Sequence, residues 1–477
     1  MKFKSIVSTL FFLISLAQGF SQNINFTLAN PQPIINEVYS GTILSGDLDN
    51  DGDMDLLHSG IGTDINGLAA RASIFLNDGT GNFTLQNQNF NNFSSTEGLL
   101  MSDLDNDQDL DIIITASNRT DFYRNNGLAQ FAFVPNTPFL PSFLGDLIAG
   151  DVDGDGDNDV IQFGKSGSGS AAPYFALLFF NDGTGMFTQS QNTPFLPFKN
   201  LKLEFIDLEG DGDLDVLSFG EDINYSAQVA IFENDGTGNY SVLSNSNIAP
   251  HIADEISVGD IDNDGDQDVL ISGVIDNSIP KTAMYINDGI GQFSELNNLP
   301  FPNIFASSNA LADLDNDSDL DVVLIGSAAG GLPNIFSIIF ENIGNNAFIA
   351  ADSLIGVYIP ANTINDFNGD AKKDIIIQGF IDNTNIYWNE SLISSVIENS
   401  NIPFSIFPNP TTNEITVKSD YKLIGTPYTV YDNLGKLVLN GSITKELTYI
   451  EMGDLPGGIY MLSVGDYKKP ISKIIKQ

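Results

Sequence analysis

Cysteine is absent from this chain of 477 residues. The protein therefore forms no disulfide, offers no thiolate to a metal ion or a substrate, and has no cysteine that could carry a lipid. Histidine is almost absent, since only His58 and His251 occur, and neither lies in a motif of a catalytic triad or a zinc site. We predict that both histidines are structural and that the protein is not an enzyme. A lyase or hydrolase site among carboxylates elsewhere in the chain is the alternative.

Positive charge is scarce as well. The sequence has 19 Lys and Arg against 62 Asp and Glu, which gives a formal net charge of -43. A surface with this excess of negative charge repels phosphate groups, so nucleic acid and anionic membranes are excluded as expected partners.

Long apolar runs are also rare, and the exception is the N-terminal stretch MKFKSIVSTLFFLISLAQGFSQ. Lys2 and Lys4 precede its apolar run, and small residues follow near Ala17, Gly19 and Ser21. This order predicts a secretory signal peptide over residues 1–21. An uncleaved membrane anchor is the alternative, but the run is shorter than the ~20 residues that a membrane span requires. No transmembrane segment is expected in the mature chain.

Aspartate, in contrast, is abundant and follows a repeated pattern. Residues 46–57 read GDLDNDGDMDLL, and related stretches follow at intervals of 48 (103 to 151) to 56 (47 to 103) residues. One structural unit is therefore repeated seven times. We number the seven acidic loops 1 to 7 and the residues of each loop 1 to 9, and the odd positions hold the candidate metal ligands. They are Asp47, Asp49, Asp51, Asp53 and Asp55; Asp103, Asp105, Asp107, Asp109 and Asp111; Asp151, Asp153, Asp155, Asp157 and Asp159; Asp207, Glu209, Asp211, Asp213 and Asp215; Asp260, Asp262, Asp264, Asp266 and Asp268; Asp313, Asp315, Asp317, Asp319 and Asp321; and Asp366, Asn368, Asp370, Lys372 and Asp374.

Oxygen ligands at alternate positions of a tight loop are typical of calcium sites, in which about six to eight oxygens surround the ion. We predict up to seven Ca²⁺ ions, one in each loop. Position 7 is expected to contribute only its backbone carbonyl, because loop 7 has the cation Lys372 there. Magnesium is disfavoured because its small octahedral shell fits poorly in an all-protein cage.

Two other interpretations explain the loops less well. An EF-hand requires an acidic residue at position 12 and flanking helices, whereas position 12 is never acidic here and the flanks have the pattern of strands. Solvated acidic turns without a metal ion would account for one loop, but repetition in register makes them a poor explanation for all of them.

Position 6 is expected to adopt a left-handed backbone conformation. Loops 1, 3, 4 and 5 have glycine there, whereas the other loops have Gln108, Ser318 and Ala371. A residue with a Cβ atom pays about 1 kcal/mol or more in this conformation. The sequence therefore predicts weaker calcium binding in loops 2, 6 and 7.

Short runs rich in β-branched and aromatic residues surround each acidic loop and indicate four strands per repeat. An Asn-Asp-Gly motif, as in NDGTGNF (77–83), predicts the turn between the third and fourth strands. Radial closure would protect the sheet edges, so we predict an all-β fold with a seven-bladed β-propeller. The last repeat has no fourth strand of its own, and INFTL (24–28) matches the missing strand. We therefore expect the first strand to complete the last blade.

The acidic loops resemble FG-GAP or VCBS repeats, the calcium-bearing blades also found in integrin alpha subunits. The likeness covers roughly residues 24–392, although the Phe-Gly and Gly-Ala-Pro signatures of the repeat are not evident. The resemblance implies a calcium-stabilised β-propeller used in adhesion or ligand binding.

The last part of the chain has a different character. Alternating apolar residues and glycine turns predict a small β-sandwich over residues 404–477, after a propeller over 22–392 and a linker over 393–403. The features Pro408-Asn409-Pro410, Asp432 with Gly435-Lys436, and Gly458-Ile459-Tyr460 resemble the C-terminal sorting domain of the type IX (Por) secretion system. The resemblance implies the secretion machinery as a partner, removal of the domain, and a secreted or surface-attached product. A generic sandwich adhesion module is the alternative.

The function predicted from these features is binding of an extracellular glycan or protein. Connections that follow the second strands vary between repeats and are candidate binding loops, for example 60–72, 164–174, 220–228 and 273–283. The Phe residues of the NTPFLP segments (136–141 and 192–197) are expected to pack between blades. An accessory or weakly catalytic role in polysaccharide degradation is the second hypothesis.

Overall fold

The computed structural model divides the chain into two units, one of residues 23–393 and one that contains residues 394–477. It describes residues 24–32, 38–39, 41–64, 67–88, 90, 93, 98–167, 169, 172–244, 246–328, 334–379, 384–391, 404–408, 411–419, 423–432, 436–453, 455–464 and 472–476. The predicted signal peptide and linker, and residues Asn409, Pro410 and Gly435, lie outside these ranges.

The first unit consists of antiparallel sheets, of which the described residues form seven. Sheet 1 contains β2 (Val38–Tyr39), β3 (Ile43–Gly46), β4 (Asp55–Asp64), β5 (Gly67–Asn77) and β6 (Phe83–Gln86). Sheet 2 contains β7 (Gly98–Ser102), β8 (Asp111–Ala116), β9 (Arg119–Arg124) and β10 (Ala132–Val134). Sheet 3 contains β11 (Phe143–Gly150), β12 (Asp159–Lys165), β13 (Tyr174–Phe180) and β14 (Thr188–Gln189). Sheet 4 contains β15 (Lys199–Ile206), β16 (Asp215–Glu221), β17 (Ala227–Asn234) and β18 (Tyr240–Leu243).

The remaining sheets of this unit follow the same order. Sheet 5 contains β19 (Ile252–Gly259), β20 (Asp268–Ile275), β21 (Ile279–Asn287) and β22 (Phe293–Glu295), with a 3₁₀ turn at Asp276–Ser278. Sheet 6 contains β23 (Phe305–Ala312), β24 (Asp321–Ser327), β25 (Ile335–Asn342) and β26 (Phe348–Ser353). Sheet 7 contains β27 (Ala361–Asn365), β28 (Asp374–Gln378), β29 (Asn385–Asn389) and β1 (Phe26–Leu28).

Sheet 7 is completed by the first strand of the chain, as the sequence predicted. β1 pairs antiparallel with β29, with Phe26 opposite Asn389 and Leu28 opposite Tyr387. The strand before each acidic loop is called the first strand of its sheet and the strand after the loop the second, so that β3 and β4 have these places in sheet 1. The first strands contact each other in turn, β3 with β7, then β11, β15, β19, β23 and β27, and β27 contacts β3 again. This cycle gives the unit an all-β, propeller-like arrangement.

The core of the first unit lies between the sheets. The second strands are almost continuous apolar runs, and β8, β16 and β24 are buried along their whole length because both faces pack against neighbouring sheets. One apolar cluster, for example, joins Leu217 of sheet 4 to Ile271 of sheet 5. Phe139 and Phe195 of the NTPFLP segments are buried in such clusters, which confirms the predicted packing between sheets.

In the second unit, the residues that the structure describes form two sheets that share one core. The first contains β30 (Phe404–Phe407), β31 (Glu414–Ser419) and β34 (Leu447–Glu451), and the second contains β32 (Pro427–Asp432), β33 (Leu437–Ser442), β35 (Gly458–Val464) and β36 (Ser472–Lys476). Val417, Val430 and Leu462 are among the buried residues of this core. No helix within the described residues is long and apolar enough to span a membrane.

Candidate metal centres

Each acidic loop connects the first and second strands of its sheet, and local hydrogen bonds give all the loops the same curl. The N–H of position 6 donates to Oδ2 of position 1, as from Gly52 to Asp47, at distances of 2.8–3.1 Å. The N–H of position 7 donates to Oδ1 of position 5, as from Asp53 to Asp51, at 3.0–3.1 Å. These hydrogen bonds bend the backbone of positions 1 to 7 back towards position 1.

The backbone has positive φ at position 6 of every loop. The angle is 95° at Gly52, 73° at Gln108, 78° at Ser318 and 64° at Ala371, so three residues with a Cβ atom adopt the left-handed conformation that the sequence predicted. Position 4 is also left-handed, for example 60° at Asn50. Sequence reasoning missed this second turn, although every loop has Asn or Gly at position 4, the residue types that tolerate it.

The aspartate at position 9 is the buried end of each loop. Asp55 has no exposed surface, and its Oδ2 accepts the N–H of Leu48 while its Oδ1 accepts the N–H of Asn77. Burial raises the pKa of Asp55 to about 7, and these two hydrogen bonds oppose the shift only partly. The equivalent aspartates have pKa values raised by burial to between about 6 and about 8.

Positions 1, 3 and 9 bring their carboxylates together in five of the loops. In loops 1, 2, 3, 5 and 6 one oxygen from each of these positions lies within 4.8 Å of the other two. The position 3 side chain supplies a buried oxygen that has no hydrogen-bond partner, namely Oδ1 of Asp49, Asp105, Asp153, Asp262 and Asp315. Converging carboxylates with an unpartnered oxygen are the donor set that a hard cation requires, so these five loops could hold metal ions.

Loops 4 and 7 differ at position 3, and neither forms such a cluster of acidic residues. Loop 4 has Glu209, whose pKa is raised to about 7 by burial and then by repulsion from Asp215. Loop 7 has the neutral Asn368, and Lys372 donates through Nζ to the carbonyl of Asn389 at 3.3 Å. The seven loops therefore present unequal sites for a cation.

The remaining predicted ligands, at positions 5 and 7, lie outside the clusters of carboxylates. Position 5, as in Asp51, is exposed in all the loops and stands outside the clusters of three carboxylates. Side chains at position 7 turn towards the preceding loop in three cases, where Asn50 donates to Asp109 at 2.6 Å, Asn263 to Asp319 at 2.6 Å, and Asn106 to Asp157. In these loops the position 7 side chain is engaged with a neighbouring loop, and the role of the position 7 backbone carbonyl as a ligand stays a prediction.

Loop 2 also has a protein cation beside its ligands. Arg124 approaches Oδ2 of Asp105 with its Nε at 2.7 Å, and its Nη2 donates to the carbonyl of Thr184 at 2.6 Å. A guanidinium at this place reduces the net negative charge that loop 2 presents to a metal ion. No sequence pattern signalled this pair, because Arg124 and Asp105 belong to different elements.

The two histidines lie away from the loops in buried surroundings. His58 is 1% exposed and packs edge-on against Phe75, and burial lowers its pKa to about 4. His251 places Nδ1 at 2.7 Å from the carbonyl of Ala249, and burial lowers its pKa as well. Both pack against aromatic residues of the core, and their structural role stays a prediction.

Each of the two units contains residues that match a known protein family. Residues 103–162 and 207–271 match the FG-GAP-like repeat, and residues 405–477 match the secretion system C-terminal sorting domain. The chain carries FG-GAP-like repeats and ends in a type IX sorting domain. The sorting domain marks the protein for export by the type IX secretion system to the cell surface or the extracellular space.

Solved structures with a similar course of the chain are distant. A lectin of Agrocybe aegerita that recognises non-reducing terminal N-acetylglucosamine is 18% identical, with a TM-score of 0.49, over 72% of this chain and 86% of that one. The six-bladed fucose lectin of Aleuria aurantia is 9% identical, with a TM-score of 0.38, over 67% and 97%. PorZ of Porphyromonas gingivalis, a surface component of the type IX secretion system, is 13% identical, with a TM-score of 0.43, over 93% and 60%. No curated protein matches the chain.

Proposed function

We propose that the protein is a secreted seven-bladed β-propeller that is stabilised by calcium and binds an extracellular glycan or protein. Each sheet of the first unit is one blade, residues 22–392 form the propeller, and residues 404–477 are the export domain. The observation that carries the calcium proposal is the buried, unpartnered oxygen at position 3 beside the carboxylates of positions 1 and 9. Bound calcium would supply positive charge that offsets the repulsion among these carboxylates.

The proposed ions are structural and not catalytic. Their ligands lie between the first and second strands of each sheet, so a filled loop would fix the connection between two strands of one blade. Loops 1, 3 and 5 are expected to bind most tightly, because each combines three converging carboxylates with glycine at position 6. Loops 2 and 6 follow, and loops 4 and 7 have the poorest ligand sets.

Calcium removal tests this part of the proposal. A ligand present at 100 times its dissociation constant adds about 2.7 kcal/mol per site to the free energy of unfolding. We therefore expect a chelator to lower the melting temperature of the mature protein, and calcium but not an equal concentration of magnesium to restore it. A melting temperature that does not respond to the chelator would contradict structural calcium.

The proposed ligand surface includes the connection after the second strand of sheet 4, residues 220–228. Ile223 and Tyr225 are 84% and 70% exposed there, and the Nζ of Lys199 lies 3.4 Å from the centroid of the Tyr225 ring. Exposed aromatic and apolar side chains beside a cation are common anchors of binding surfaces. The connections after the fourth strands support the proposal less, because their Phe139 and Phe195 are buried.

A glycan and protein array tests the binding part, with and without a chelator. We expect Tyr225→Ala to weaken binding without changing the melting temperature, whereas Met186→Ala, at a 68% exposed position in another turn, leaves binding unchanged. Absence of binding to the whole array would contradict the proposed role. Incubation of the same polysaccharides with the calcium-loaded protein separates binding from catalysis, and any turnover would favour the degradation hypothesis.

A further inference from the structure

Seven buried asparagines connect each acidic loop to the next one. Six of them lie in the predicted Asn-Asp-Gly turns or their variants, and Asn389 takes the equivalent place in sheet 7. Each is at most 7% exposed: Asn77, Asn125, Asn181, Asn234, Asn287, Asn342 and Asn389. The side-chain Nδ2 of each donates to the backbone carbonyl of position 2 in the loop of the preceding sheet, at 2.7–3.0 Å. Every loop thus receives a hydrogen bond from the following sheet.

The same asparagines also hold the loops of their own sheets. The backbone N–H of each donates to Oδ1 of the position 9 aspartate, at 2.7–2.9 Å. Oδ2 of that aspartate accepts the N–H of position 2 in its own loop, at 2.8–3.2 Å. Position 9 is therefore joined to position 2 of its loop, and position 2 to the asparagine of the next sheet.

These hydrogen bonds form a closed ring around the first unit. The last step joins sheet 1 to sheet 7, where Asn77 donates to the carbonyl of Phe367 at 2.9 Å, across 290 residues of sequence. The carbonyl of position 2 belongs to the peptide group that precedes position 3. In loops 1, 2, 3, 5 and 6 the bridge therefore holds the backbone next to the side chain that carries the buried, unpartnered oxygen.

We propose that the seven asparagines are positioning residues that make calcium binding cooperative between adjacent loops. The inference rests on the calcium-binding function proposed above. A cation in one loop orders positions 2, 3 and 9, and the asparagine transmits this order because it is bonded to position 2 of one loop and to position 9 of the next. Binding in one loop then reduces the ordering cost of binding in its neighbour.

Loops 5 and 6 are the most favourable pair for a test, because both have three converging carboxylates. Asn342 joins them, since its Nδ2 donates to the carbonyl of Ile261 at 3.0 Å and its N–H donates to Asp321 at 2.9 Å. The double variant Asp315→Asn, Asp317→Asn removes the charge of two predicted ligands in loop 6 and retains side-chain oxygens at both positions. Calcium binding at loop 5 is then read without any substitution in loop 5.

Hydrogen exchange followed by mass spectrometry, during a calcium titration of the mature protein, reports on each loop separately. We expect the loop 6 variant to raise the calcium concentration for half-protection of residues 260–268 about fivefold, the factor that corresponds to one hydrogen bond. Residues 151–159 serve as the internal control, because loop 3 lies three sheets from loop 6, and their midpoint should shift by less than half as much.

Asn342→Ala completes a double-mutant cycle, since alanine removes the side-chain bridge and keeps the backbone N–H. In this background we expect the loop 6 substitutions to have no further effect on loop 5. A purely structural Asn342 would lower the melting temperature but leave the effect of loop 6 on loop 5 intact, which would contradict the proposal. Thr184→Ala, in the exposed turn of sheet 3, is the control for a substitution in the same motif that spares the bridge.

The outcomes separate the two proposals. In one outcome every loop is protected by calcium, but the loop 6 substitutions do not change the calcium midpoint of loop 5. This result would overturn cooperativity and leave the calcium-binding function in place. Loops that show no protection by calcium at any concentration overturn the calcium function and the cooperativity together. If Asn342→Ala does not fold, the loop 6 variant alone still decides whether calcium binding at loop 5 depends on loop 6.

Discussion

Asp51 and Asp55 show that one residue type has different roles in the same loop. Asp51 is exposed and accepts the N–H of Asp53, whereas Asp55 is fully buried and accepts the N–H groups of Leu48 in its own loop and of Asn77 in β5. The alternating spacing of the sequence predicted both as ligands and gave no means to rank them. Burial distinguishes them, because it sets how strongly each charge is destabilised without a cation.

The pH dependence of stability is a test at His58. Burial lowers the pKa of His58 to about 4, from the usual 6.5, so the unfolded chain takes up a proton at this residue before the folded protein does. The stabilisation from neutral His58 is complete above pH 6.5 and is lost as the pH falls towards 4. Relative to His58→Gln, we expect the protein to lose about 2 kcal/mol of unfolding free energy by pH 5.

Urea unfolding of both proteins between pH 8 and pH 5, at saturating calcium, measures this difference. The variant is the control for all other titrating groups, since these are common to the two chains. A difference in unfolding free energy that stays constant across the range would mean that His58 is not buried in its neutral form.

At the scale of the element, the acidic loop is a turn with two left-handed residues in nine. The left-handed conformation of position 6 was predictable, because four of the seven loops have glycine there and the others have Gln108, Ser318 and Ala371. Position 4 was not recognised, although its restriction to Asn and Gly has the same physical cause. Six of the bridging asparagines were recognised as turn residues only, and Asn389 was not recognised. Their hydrogen-bond partners lie in a different sheet, and no local sequence pattern indicates such a contact.

Reciprocal substitutions at position 6 test the cost of the left-handed conformation. Ser318 has a φ of 78°, and Ser318→Gly is expected to tighten calcium binding at loop 6 by up to about fivefold, which corresponds to about 1 kcal/mol of relieved strain. Gly156→Ser should weaken binding at loop 3 by a similar factor. Per-loop hydrogen exchange during calcium titration measures both, and an unchanged affinity in the two variants would show that position 6 does not limit binding.

At the scale of the whole molecule, closure depends on the pairing of the two ends of the first unit. The N–H of Asn25 donates to Oγ of Ser391 at 3.1 Å, 366 residues away. Ile24 and Phe26 are 1% and 8% exposed in the cluster that joins sheets 6 and 7. The closing strand therefore contributes both backbone pairing and apolar burial, although it is only three residues long.

Two neighbouring substitutions in β1 test this contribution. Phe26→Ala removes a buried ring and is expected to lower the free energy of unfolding by about 3 kcal/mol. Leu28→Ala, at a 43% exposed position of the same strand, is expected to change it by less than about 0.5 kcal/mol. Denaturant unfolding measures both, and equal effects of the two substitutions would contradict closure by the buried face of β1.

The sequence by itself determined the parts of this protein that are local. Repeated loops, short strands, Asn-Asp-Gly turns, the missing fourth strand and the sorting domain all follow from spacing and residue type within a few positions. Only the tertiary structure decided which carboxylates converge, that Arg124 pairs with Asp105, and that seven asparagines join the loops in a ring. The physical reasons differ. The carboxylates converge because the loop curls, Arg124 reaches Asp105 because strands of one sheet pair, and the asparagine bridges depend on the packing of one sheet against the next, as between Asn77 and Phe367, 290 positions apart.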